Sequence, residues 1–204
     1  MRHYKGEEHK MKEFDPSEID FDNPSALFRL EDNLKGLIGG PLYYEPYFRS
    51  CGGFQGDERV LDFGCGGGIG TRCIADHLRR GGLVTGVDVS SYFASKAKKR
   101  LATRSNAEIL RGEIGELNLA KVSFDLITII HVIHDIAKAK RPATVRSLGA
   151  VLKPGGTLWI WEPTRASHGM PVEEIRALMG EIALSEVSAQ IGANDFRGVF
   201  EKPA

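Results

Sequence analysis

The chain has no excess of either charge, since its 204 residues carry 27 Lys+Arg and 27 Asp+Glu. Proteins that hold nucleic acid by neutralising phosphates need a basic face. The one short basic run, at 96–100, falls on a predicted helix face and is read as solvated, so no nucleic-acid partner is expected. Long apolar runs are also missing. No segment approaches the roughly 20 residues needed to cross a bilayer, and the charged start has no apolar signal core. The expectation is therefore no membrane association and a cytoplasmic location. Cysteine is scarce: Cys51, Cys65 and Cys73 are odd in number and too scattered for a disulfide framework or a paired metal or redox motif, and no metal is expected. Cys65 is read as a small side chain in a tight turn. What remains is ordinary globular composition, 42% apolar and 26% charged, in a length suited to one core.

Along the chain, residues 1–23 mix charges with few aliphatics and predict a mobile N-terminal arm. Residues 24–57 predict a small helical cap. Leu27, Leu30, Leu34 and Leu37 recur at helical spacing, and a second short helix carries Tyr43, Tyr44, Tyr47 and Phe48. That aromatic cluster either closes over a ligand or packs on a sheet edge. From 58 to 204 the pattern becomes short apolar runs alternating with helix-period segments, the form of repeated βαβ units. The runs lie at 60–63, 83–87, 109–110, 126–130 and 157–161. The helical face with Ile69, Cys73, Ile74 and Leu78 includes His77, read as a packed core histidine; Trp159 and Trp161 share a strand face and are also read as core. Two last strands near 184–191 and 196–201, joined by the turn Gly192-Ala193-Asn194-Asp195, predict an antiparallel hairpin.

The most informative stretch is Val60-Leu61-Asp62-Phe63-Gly64-Cys65-Gly66-Gly67-Gly68-Ile69-Gly70, where a strand ends, glycines let a ligand approach the backbone, and a helix begins. The spacing rejects two nucleotide motifs. G-x-G-x-x-G would need glycine at Ile69 or Thr71, and no glycine is followed by lysine as a P-loop requires. Acids then fall at three predicted strand ends, Asp62, Asp88 and Glu113. Such an acidic rim suits a sulfonium-bearing ligand better than a pyrophosphate.

The D-x-G-x-G-x-G loop, the Gly86-Val87-Asp88-Val89 strand end, Gly112-Glu113-Ile114, the strand Phe124-Asp125-Leu126-Ile127-Thr128-Ile129-Ile130-His131 and Leu152-Lys153-Pro154-Gly155-Gly156 together resemble the class I methyltransferases that act on small molecules. The resemblance covers residues 58 to 162. It implies a Rossmann-like, doubly wound, mostly parallel seven-stranded α/β sheet with a C-terminal antiparallel hairpin. It also implies S-adenosylmethionine as cofactor, S-adenosylhomocysteine as product and direct in-line transfer to a small-molecule acceptor. By the family pattern Gly64 and Gly66 flank the methionine part, Asp62 steadies the loop within reach of the ammonium through water, Asp88 with Val89 takes the ribose, Glu113 with Ile114 faces the adenine, and Ile130 offers backbone contacts. Glu113 departs from the family's usual aspartate. His131 and His134, where the acceptor pocket opens, are the candidate general bases, with pocket shaping as their other reading. Glu162, at the end of the fifth strand, is a further pocket candidate. A monomer or homodimer is expected. Two other readings stay open: a nicotinamide-dependent oxidoreductase using Asp88, and a cofactor-binding partner subunit without catalysis.

Overall fold

The computed structural model describes residues 22–23, 40–79 and 81–204, and among these strand begins at Arg59, where the sequence turns from mixed residues to β-branched and aromatic runs. The expected arm, apart from Asp22 and Asn23, and the helix expected from Leu27 to Leu37 lie outside the described residues. One π-helical turn, Gly40–Tyr44, leads into α1, Glu45–Ser50. The alternating units follow as β1 Arg59–Phe63, α2 Ile69–His77, β2 Leu83–Asp88, α3 Ser91–Leu101, β3 Ala107–Arg111 and β4 Phe124–Ile130. A 3-10 turn, Ile133–Asp135, precedes α4 Arg141–Val151 and β5 Leu152–Arg165. The chain closes with β6 His168–Gly169, α5 Val172–Glu181, β7 Ser185–Ile191 and β8 Asp195–Glu201.

The main sheet runs in the order β3-β2-β1-β4-β5-β8-β7. The first five strands of that order are parallel, and β8 and β7 are antiparallel. This is the doubly wound sheet with a terminal hairpin that the resemblance implied. Chain order runs outward in opposite directions from β1 and from β4, so the switch point lies between them, and ligands of open α/β sheets settle at the carboxyl ends of strands beside that switch.

The central parallel strands are covered on both faces because they alternate two apolar sets, while the edge strand β7 is exposed along its length. Leu61, Phe63, Ile127, Ile129, Leu158 and Ile160 pack with α4, α5 and the hairpin. Val60, Val84, Leu126, Trp159 and Trp161 pack with α1, α2 and α3. Each such fully buried aliphatic side chain contributes about 1.5–3 kcal/mol, so register is held strongly along β1 and β4. The caps follow local chemistry: Ser90 Oγ accepts from the Phe93 N–H at the start of α3, and Pro142 opens α4 where its missing N–H costs nothing.

Two parts depart from the expected pattern. β5 begins at Leu152 rather than Thr157, with a bulge between the Phe124 and Leu126 pairings. The C-terminal segment satisfies this stretch: Gly155 N–H donates to Lys202 O, and Lys202 N–H donates to Gly156 O. At its other end β5 runs to Arg165 and folds back through β6, where Arg165 pairs with His168. His77 is not core. It is 40% exposed, stacks on Phe54 and pairs with Glu45 at 2.8 Å, because α1 offers it a carboxylate at the helix end.

Candidate functional site

Three glycines of the β1–α2 loop take the left-handed conformation that L side chains avoid, Gly64 at φ 70°, Gly66 at 52° and Gly68 at 77°. They differ in what surrounds them. A methyl group on Gly64 would lie 2.4 Å from Val132 Cγ2, and one on Gly68 would lie 2.9 Å from Ala97 Cβ. At Gly66 it would meet nothing within 4 Å, so that backbone faces open space. The loop is pinned from β2: Gly64 and Cys65 N–H both donate to Val87 O, and Gly66 N–H donates to Asp88 Oδ2 at 2.8 Å. The Cys65 thiol is pushed far up by burial and by the negative charge of Asp62 and Asp88, so it is no nucleophile.

Asp62 lies beneath the loop. It is buried and accepts hydrogen bonds from the Thr71 and Thr128 hydroxyls at 2.6 and 2.8 Å. Burial raises its pKa, and the two hydroxyl bonds oppose that rise. It ties β1, α2 and β4 together and does not line the cavity. Asp88 does line it. Its Oδ1 accepts from Ser90 N–H at 2.9 Å, so it caps the approach to α3 and also holds the glycine loop, and each oxygen retains acceptor capacity. Burial raises the Asp88 pKa as well, against the two backbone N–H bonds.

The cavity has a volume of about 320 Å³, within the usual range for a small-molecule site. Gly64, Gly66, Asp88, Val89 and Ile130 are all on its wall. Glu113 and Ile114 are not. Glu113 turns outward to Lys140 Nζ at 3.0 Å, and Ile114 is buried in the core beneath α4. Gly112 takes their place at the wall. The acidic rim thus reduces, of the three acids at strand ends, to Asp88.

Past β4 the two candidate histidines separate. His131 is on the cavity wall, at φ 58°, with its backbone N–H donated to Trp161 O. The Tyr43 hydroxyl stands 3.3 Å from its Nε2. His134 is buried and off the wall, with Nδ1 2.6 Å from Glu162 Oε2. Glu162 is fully buried, and its Oε1 accepts the Val132 and Ile133 N–H groups, so one carboxylate shapes the whole turn after β4. It is a scaffold of the pocket rather than a wall. Arg141 completes the frame from α4, donating to the carbonyls of His134 and Ile136 and pairing with Glu174 at 2.6 Å.

The aromatic cluster packs on the sheet and reaches the cavity at one ring. Tyr47 and Phe48 are buried, tilted against Trp161 and Trp159 respectively, while Tyr44 is on the cavity wall. Tyr43 stacks on Trp161 at 4.4 Å, and Arg197 stands 4.0 Å from the same indole. Arg141, Asp135 and His168 are participants that sequence reading did not single out. Arg141 opens a helix where surface arginines are common, and His168 sits on a two-residue strand below the length at which periodicity is visible.

The profile of a family described as methyltransferase domain matches residues 60–156. The ubiquinone biosynthesis O-methyltransferase of Coxiella burnetii (strain Dugway 5J108-111) is 32% identical over 103 residues, 50% of this chain and 42% of that protein. The chain spans about half the length of the curated relatives it matches, or less. Among solved structures, a SAM-dependent methyltransferase from Aquifex aeolicus superposes with TM-score 0.69 at 20% identity, over 92% of this chain and 98% of that one. The N-methyltransferase NodS from Bradyrhizobium japonicum WM9, solved with S-adenosyl-L-homocysteine, gives 0.63 at 22% identity over 90% of each chain. At these identities the structural likeness shows the fold alone. Residues 60–156 thus match a methyltransferase domain, and the fold around them is that of solved S-adenosylmethionine-dependent methyltransferases.

Proposed function

We propose that the chain binds S-adenosylmethionine through the glycine loop and Asp88 and transfers its methyl group to an O–H or N–H of a small acceptor. The observation that supports this most is Gly66: a left-handed glycine on the cavity wall, hung from Asp88, with open space where a side chain would be. The cofactor, when bound, supplies a sulfonium-activated methyl group. The protein's part is positioning. Asp88 presents acceptor oxygens to ribose hydroxyls, Gly64 and Gly66 leave the backbone accessible, and Val89 and Ile130 give apolar wall. Asp62 acts from below by fixing the loop, and Glu113 and Ile114 act only through the segment that carries Gly112.

His131 is the residue suited to take a proton from the acceptor, since its ring is at the wall beside Tyr43. Burial pushes the Tyr43 phenol up to about 12, so it keeps its proton and can steady the imidazole. Residues 40–50 border the cavity through Tyr44, with Tyr43 set against His131 and Trp161. The O-methyltransferase named above makes a hydroxyl the first acceptor to try. Calorimetry of the purified chain with S-adenosylhomocysteine, with NADH as a counter-probe, tests cofactor choice. Incubation with radiolabelled S-adenosylmethionine and fractionated metabolites then tests transfer; no binding of S-adenosylhomocysteine sinks the proposal.

A further inference from the structure

Behind the cavity wall three side chains converge that the methyl-transfer reading does not use. His134 Nε2 lies 3.1 Å from His168 Nε2 and 3.4 Å from Asp135 Oδ1, and His168 Nε2 lies 3.8 Å from that same oxygen. One point is about 2.0 Å from all three atoms, which is the bond length of zinc to imidazole nitrogen or carboxylate oxygen. The spacings are also close to the roughly 3.3 Å edge of a tetrahedron built on such bonds.

The surroundings prepare these atoms as ligands. The Glu162 carboxylate, 2.6 Å from His134 Nδ1, holds the ring proton there and leaves the Nε2 lone pair for the cluster. This is the carboxylate–histidine arrangement that orients metal-bound imidazoles. Asp135 Oδ1 is buried, yet it accepts no hydrogen bond among the described residues, an unpaired cost that a cation would remove. Both residues on the turn are fixed in place: Glu162 holds the backbone just before them, and Arg141 holds the His134 carbonyl. His168 arrives from the β6 fold-back, and its side chain is 47% exposed, which leaves an entry path. Two imidazoles with one carboxylate favour a borderline cation over magnesium or calcium.

We propose that His134, Asp135 and His168 bind a single divalent metal ion of the zinc class, with Glu162 as the outer carboxylate. Asp135 also lines the cavity, so the ion stands at its edge, on the acceptor side if the methyltransferase reading holds. The site itself does not depend on that reading.

The test uses the full chain without a polyhistidine tag, stripped by chelator and dialysed. Titration with Co²⁺ should give visible ligand-field absorption that saturates at one ion per chain, and calorimetry with Zn²⁺ should give one site. Mg²⁺ should bind about a hundredfold more weakly or not at all. His168→Ala, at a half-exposed position that threatens the fold least, and Asp135→Asn should each weaken Zn²⁺ binding at least about tenfold, while His131→Ala binds zinc as the wild type does. S-adenosylhomocysteine affinity, measured with and without Zn²⁺, should be unchanged, which separates failure of the metal site from failure of the cofactor site. The proposal is overturned by absence of cobalt absorption, or by variants of His168 and Asp135 that bind zinc like the wild type.

Discussion

Replacing Gly66 by alanine separates binding from folding more cleanly than any other change in the glycine loop. An L residue in the left-handed region costs about 1–2 kcal/mol, and the reduced freedom of the unfolded chain returns about 0.4–1 kcal/mol. With nothing within 4 Å of the new methyl, no clash adds to this, and the net loss is about 1 kcal/mol. For a chain of this length that lowers the melting temperature by about 2–4 °C. Gly64→Ala carries the same backbone cost plus a methyl 2.4 Å from Val132 Cγ2, where overpacking adds about 1–3 kcal/mol. Cofactor binding should respond in a different order. Gly66 lies on the cavity wall with open space where a methyl would sit, so for a ligand held against this loop S-adenosylhomocysteine affinity should fall at least about tenfold, or about 1.4 kcal/mol, in a protein that is still folded at 25 °C. Thermal unfolding and calorimetry on both variants give the two readouts. A folded Gly66→Ala protein that binds S-adenosylhomocysteine like the wild type refutes the placement of the ligand against this loop.

Three further changes probe the frame. Burial raises the Asp62 pKa in the fold, so its stabilising contribution is complete below the unfolded value near 3.8 and is lost as pH rises through the folded value. Asp62→Asn can keep both threonine partners, and its stability advantage over the wild type should be greatest near pH 7 and shrink as pH falls to about 4; urea midpoints across that range that run parallel would contradict the assignment. Arg141→Ala strips two carbonyls and a carboxylate of their donor and should cost about 2–4 kcal/mol by urea denaturation, discounted for the partly exposed Glu174. His131→Asn suits the φ of 58° and should change stability by less than about 0.5 kcal/mol, while methyl transfer to a hydroxyl acceptor falls about a hundredfold. Unaltered transfer would remove His131 as the base.

Sequence legibility followed the range of the forces involved. The parallel strands and their helices were readable because burial on two faces writes periodicity into the runs at 60–63 and 126–130, and the strand-to-helix loop was readable because left-handed turns demand glycine. Asp88 was readable as a strand-end acid near a glycine loop. Glu113 occupies the same kind of position but is off the cavity wall, and its partner Lys140 lies far away in sequence. His131 and His134 looked equivalent for the same reason. A 3-10 turn and the buried Glu162 send one to the wall and the other behind it, and neither cause is local. His168 was invisible because its position is set by a two-residue fold-back of β5.

The stack on Trp161 gives the protein a built-in optical probe. The chain has two tryptophans, and they sit in unequal surroundings. Trp159 packs beneath Phe48 and Phe54, away from the cavity, so its emission should stay nearly constant. Trp161 shares its ring with Tyr43 and Arg197 and lies 5.2 Å from His131. A displacement of Tyr43, or a proton gained by His131, changes the field and the quenching at one indole only. Ligand entry beside His131 should therefore be visible by intrinsic fluorescence in stopped flow, without a label.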